Sequence, residues 1–152
     1  MIGLRTGRVV VVDDELEEGT ALLRALSQRG LSAAYFTGSV DELPLTPMTG
    51  VRLLALDLIL GDEVQGDATT KSSAALSAAG RIVAPSNGPM VVLAWTKRQE
   101  LVEALTRELP RVCPAANPLL VVCIAKEEVR AADGISFDLE KISAEVERAS
   151  QG

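Results

Sequence analysis

The chain contains no histidine. No imidazole is therefore available within it as a base, a nucleophile or a metal ligand. Ser-His-Asp and Cys-His hydrolysis are excluded for this chain, as are His-ligated zinc and a phosphohistidine carried by the chain itself. Cysteine is almost absent. Cys113 and Cys123 stand ten residues apart, which is neither a CxxC redox pair nor a disulfide framework. Two small buried thiols are expected. Basic charge is also short: 15 Lys and Arg face 21 Asp and Glu, for a formal net charge of −6. That balance argues against an electrostatic grip on nucleic acid or an anionic membrane. No apolar run approaches the ~18 residues that a membrane span needs. The opening segment MIGLRTGR has no signal-peptide core, so a cytoplasmic protein is expected. Aromatic residues make up only 3%: Tyr35, Phe36, Trp95 and Phe137.

What remains is ordinary globular material. The 152 residues suit one domain, with 47% apolar and 24% charged residues. Arg8–Val12 holds four consecutive valines and runs into Asp13-Asp14. A short β-branched run of this kind reads as a strand buried on both faces. Asp14 to Arg29 reads as a helix, with Leu16, Gly19, Leu22, Leu23 and Leu26 on one stripe and Gly30 as its stop. Leu31–Phe36 is a weaker strand. Pro44 and Pro47 limit the next stretch to a short helix near Val40–Leu43. Val51–Leu60 is a second apolar strand, interrupted by Asp57. Thr70–Ala79 is helical with a poor apolar stripe. Met90–Trp95 is a strand ending at Thr96, and Lys97–Leu109 is a helix with Leu101, Val102, Leu105 and Leu109 aligned. Pro110, Pro114 and Pro118 bracket a loop before the last strand, Leu119–Ala125, which ends at Lys126.

Strands alternating with helices imply an α/β fold with one parallel sheet and helices on both faces. A doubly wound, three-layer arrangement of five strands in the flavodoxin-like order fits best. The expected division is a domain over 1–134 and a C-terminal amphipathic helix within 135–152. In that helix Leu139, Ile142, Val146 and Ala149 are spaced 3, 4, 3, as in an a/d seam. Two readings stay open: a last helix packing on the sheet, or a linker or dimerisation helix supporting a homodimer.

Ligands of open parallel sheets bind at the carboxyl ends of the strands. Asp13 and Asp14, Asp57, Thr96 and Lys126 all fall at such ends. Taken singly, each has a plainer explanation. Asp13 and Asp14 suit a helix start, Thr96 a cap and Lys126 a solvated surface. Asp57 is harder to explain away, because an acid inside LLALDLIL is costly to bury unless it is paired or metal-bound. Together they suit a phosphoryl-acceptor site. A carboxylate can form an acyl phosphate, which suits Asp57 as nucleophile. Asp13 and Asp14, with the backbone carbonyl of Ile59, suit Mg²⁺. Lys126 can neutralise phosphoryl charge and Thr96 can donate a hydrogen bond to the phosphoryl group.

This constellation resembles the receiver domain of two-component response regulators. VVVVDDE, Asp57 in LLALDLIL, Thr96 after MVVLAW, and Lys126 after LLVVCIA carry the likeness over residues 8 to about 134. The resemblance implies a (βα)5 receiver fold and a phosphoprotein in phosphorelay signal transduction. It implies Asp57 as phosphoacceptor, with Thr96 and Lys126 assisting, and Mg²⁺ held by Asp13, Asp14, Asp57 and the Ile59 carbonyl. The implied partners are a histidine kinase or phosphotransfer protein as donor and an effector protein or domain as reader. It implies no enzyme beyond self-catalysed phosphorylation and dephosphorylation. The sequence departs from the family's pattern in several places. Lys97 replaces the usual small residue after the switch threonine, giving a Trp-Thr-Lys subtype after the fourth strand. Cys123 stands where an aromatic switch residue is usual, and Glu127 stands where proline usually follows the lysine. Asp57 to Thr96 is 39 residues and Thr96 to Lys126 is 30, both longer than the usual spacing. These departures keep open a pseudo-receiver that binds a partner without phosphorylation. An aspartate-nucleophile phosphatase is disfavoured, since Ile59 occupies the position of its general acid. A nucleotide or flavin site is disfavoured by the first turn, VDDELEEG, which is acidic rather than glycine-rich.

Overall fold

A computed structural model of the chain describes residues 7–57, 68–114 and 116–151. Five strands form one sheet: β1 (Arg8–Val12), β2 (Ala33–Phe36), β3 (Val51–Leu56), β4 (Met90–Ala94) and β5 (Leu119–Cys123). They lie in the order β2-β1-β3-β4-β5, and every pairing is parallel. Four helices accompany them: α1 (Leu16–Gln28), α2 (Ala68–Ile82), α3 (Gln99–Val112) and α4 (Leu139–Gln151). Two short 3₁₀ turns, Val40–Glu42 and Lys126–Val129, complete the order. The doubly wound, three-layer architecture expected from the alternation is the one observed.

The layers follow from the period of two along each strand. Val10, Val12, Leu54, Leu56, Val92 and Ala94 face α2 and α3, where Leu101, Leu105 and Leu109 are buried against them. Val9, Val11, Leu53, Ala55 and Leu93 face α1 and α4. The α2 stripe looks poor because alanine fills it: Ala75, Ala78 and Ala79 are buried with Leu76 and Ile82. Small side chains let a helix lie close to the sheet, so burial here needs little apolar bulk. Between β2 and β3 the chain makes only the Val40–Glu42 turn, and Leu43 drops into the core in place of a helix face.

Several boundaries differ from the sequence expectation. β3 ends at Leu56, so Asp57 follows the strand rather than interrupting it. Helix α3 continues through Pro110 to Val112. A proline in the last turn forfeits only one backbone bond, and buried Leu109 with half-buried Val112 keeps that turn on the core. α2 reaches Ile82 because that residue is wholly buried. The 3, 4, 3 seam of α4 is occupied within the chain: Leu139 and Ile142 are buried and Val146 and Ala149 half-buried against the α1-side core. Among the described residues no helix is long and apolar enough to cross a membrane.

Candidate functional site

The strand order reverses between β1 and β3, which places a crevice beyond their carboxyl ends. Register brings the candidate residues to one level there. Val12 pairs with Leu56, and the Asp57 N–H donates to the Val12 carbonyl at 2.9 Å. Leu56 pairs with Ala94, and the Trp95 N–H donates to the Leu56 carbonyl at 3.3 Å. Ala94 pairs with Cys123, and the Ile124 N–H donates to the Ala94 carbonyl at 3.0 Å. Asp13, Asp57, Trp95 and Ile124 thus leave the sheet side by side.

Carboxylate oxygens of Asp13, Asp14 and Asp57 lie within 4.8 Å of one another. Asp13 is buried, at 2% exposure, while Asp57 is half-buried and Asp14 exposed. Like charges at that spacing repel by about 1 kcal/mol per pair even in bulk water. Asp13 is held from several sides. Its Oδ1 accepts the Glu15 N–H at 2.9 Å, and its Oδ2 accepts a charge-assisted bond from Lys126 Nζ at 2.9 Å. Its backbone carbonyl accepts the Tyr35 hydroxyl at 2.6 Å. Lys126 is itself mostly covered. It opens the 3₁₀ turn after β5 rather than ending the strand, so the ammonium reaches back across the crevice.

The cluster suits a hard divalent cation. Around octahedral Mg²⁺ adjacent oxygens are about 3 Å apart and opposed ones about 4.2 Å, so three carboxylates within 4.8 Å of one another would have to draw together to share one ion. Ile59, the expected fourth ligand, lies outside the described residues. Thr96 is buried beside this edge, and its Oγ1 accepts the Arg98 N–H at 3.1 Å at the entry to α3. Lys97 turns away to an ion pair with Glu128 on the 3₁₀ turn.

Several residues around the site carried no sequence signal. Trp95 stacks on Phe137, with ring centroids 5.3 Å apart. The Arg130 guanidinium lies 4.5 Å over the Phe137 ring and makes a bidentate pair with Glu18 of α1 at 2.7 and 2.8 Å. That pair holds the Glu18 carboxyl below its ordinary range. Burial raises both thiols, Cys113 to about 11, which makes them poor nucleophiles. Tyr35 is the other missed neighbour. A mid-helix glycine on the apolar stripe of α1, facing an aromatic of β2, was the available clue.

No family model matches the chain, and no curated protein does. Solved structures match over nearly its whole length. A response regulator from Thermotoga maritima is 15% identical, covering 97% of this chain and 99% of that one, with a TM-score of 0.51. A response regulator protein from Burkholderia pseudomallei, crystallised with a phosphorylated aspartic acid, calcium ion and citrate, is 17% identical. That match covers 96% of this chain and 75% of the other, again with a TM-score of 0.51. The chain has the fold of response-regulator receiver domains.

Proposed function

We propose that the chain is a signal-transduction receiver module that accepts a phosphoryl group on Asp57 and thereby switches a protein–protein interaction surface. The observation that carries this reading is the convergence of Asp13, Asp14 and Asp57 within 4.8 Å, with Lys126 bonded to Asp13 at their side. A carboxylate oxygen of Asp57 attacks the donor phosphorus. The phosphoryl bond to the donor breaks, and an acyl phosphate forms. Lys126, bonded to Asp13, would stabilise the phosphoryl oxygens with its positive charge. Asp13, Asp14 and Asp57 would hold Mg²⁺, which supplies further charge neutralisation when bound. Thr96, after the neighbouring strand β4, would sense the new charge. No turnover of an external substrate is proposed beyond the protein's own phosphorylation and dephosphorylation. The donor would be a histidine kinase or phosphotransfer protein, and the reader an effector protein or domain. Neither nucleic acid nor membrane is a proposed direct partner.

The test is incubation with Mg²⁺ and acetyl phosphate, followed at once by intact-mass measurement. One phosphoryl adduct is expected on wild type and none on Asp57→Ala. Because Lys97 is engaged with Glu128, a small donor should reach the site. An adduct mapped to another residue would overturn the assignment. No adduct from any donor, with partner binding unchanged in Asp57→Ala, would establish the phosphorylation-independent pseudo-receiver instead.

A further inference from the structure

Tyr35 sits on the edge strand β2, paired in register with Val11 of β1. Its ring occupies the space where a side chain at position 19 of α1 would begin; a Cβ on Gly19 would overlap the ring carbons. From there the hydroxyl reaches the Asp13 backbone carbonyl at 2.6 Å, within the normal O–H···O range. That carbonyl belongs to the peptide unit whose N–H is Asp14's. The unit is planar, so holding its oxygen fixes the direction in which the chain enters Asp14. Asp14 is the most exposed of the three clustered acids. The Glu15 N–H bond to Asp13 Oδ1 closes a ring through the Asp14 backbone, and the Tyr35 hydroxyl holds the peptide at the start of that ring.

We infer that Tyr35 is a positioning residue for the acidic cluster, orienting the Asp13–Asp14 peptide so that the Asp14 carboxylate meets those of Asp13 and Asp57 around one divalent cation. This rests on the cation-dependent reading of the site given above. A phenol keeps its proton through the neutral range, so the hydroxyl stays a donor. Gly19 belongs to the same device: it is the vacancy in α1 that lets the ring lie flat against the helix.

Tyr35→Phe keeps the ring and deletes the donor. Calorimetric titration of the purified protein with Mg²⁺ should show affinity weakened roughly tenfold, the scale on which outer hydrogen-bond partners act at metal sites. The metal-free melting temperature should stay within a few degrees of wild type. Amide exchange at Asp14 should quicken in the metal-free protein, a readout independent of both metal and phosphorylation. Gly19→Ala, which displaces the ring, should also weaken Mg²⁺ binding. The two changes combined should cost no more than the larger alone, as expected for residues acting through one contact. Wild-type Mg²⁺ affinity in Tyr35→Phe would overturn the inference while leaving the acidic site standing. Strictly additive losses would show that Gly19 acts by another route and would overturn the shared device. Wild-type protein that binds no Mg²⁺ would overturn both this inference and the cation-dependent reading beneath it.

Discussion

Strand β3 carries polar side chains against both of its ends, and the two ends treat them in opposite ways. At the start, buried Asn87 accepts the Val51 N–H at 2.8 Å and donates to the Val51 carbonyl at 2.9 Å. Its amide does what a neighbouring strand residue would do. Arg52 then donates to the carbonyls of Asn87 and Pro89 at 2.8 and 2.9 Å. At the finish, about 20 Å away along the strand, Asp13 is buried to the same 2% but is surrounded by two further carboxylates and one ammonium. At the first end the Asn87 side chain is uncharged and is bonded through both its oxygen and its nitrogen. The second concentrates like charge that a cation can relieve. One end anchors, and the other is poised to bind.

The largest effect should come from the anchoring end. Asn87→Ala leaves the buried Val51 N–H without its partner and the Val51 carbonyl with Arg52 Nη1 at 3.3 Å, which should cost about 1–3 kcal/mol in urea unfolding. A loss under about 0.5 kcal/mol would mean that this end is no anchor. The acidic end should respond to solution conditions instead. Mg²⁺ at a hundred times its dissociation constant should raise wild-type stability by about 2.7 kcal/mol, measured by thermal unfolding. Asp14→Asn should lose most of that gain, and an equal gain in the variant would break the contrast between the ends. The smallest effect belongs to the rim, where Glu18 pairs with Arg130. Glu18→Gln should cost about 1 kcal/mol at neutral pH. The carboxyl is held below its ordinary value in the fold, so this stabilisation is complete above that value. It is lost as pH falls through the lowered one. The stabilities of wild type and variant should therefore converge in acid.

The contrast also separates what could be read in the sequence from what could not. The valines of β1 and the apolar runs of β3, β4 and β5 announce buried parallel strands, because such strands carry no polar face to confuse the pattern. The acids, Thr96 and Lys126 were visible as breaks at the ends of those runs. Asn87 lies in Ser86-Asn87-Gly88-Pro89, a run of turn-forming residues, and nothing in such a run says that its amide will serve a strand 36 residues earlier. Tyr35, Phe137 and Arg130 were hidden for the same reason. Their partners lie far along the chain, and no period links them. The length of α3 was missed because proline counts as a helix breaker, although in a last turn that rule costs only one bond.

The short crossing between β2 and β3 has a consequence for the order in which the molecule opens. With a 3₁₀ turn in place of a helix there, every residue of β2 remains only half-buried. It is the edge strand with least to lose by detaching, and so the natural first unit to unfold locally. Tyr35 travels with it. If Tyr35 positions the cluster as inferred, fraying of this edge and release of a bound cation are one thermodynamic event seen from two sides. An occupied cluster should hold the strand down, and a loosened strand should empty the cluster.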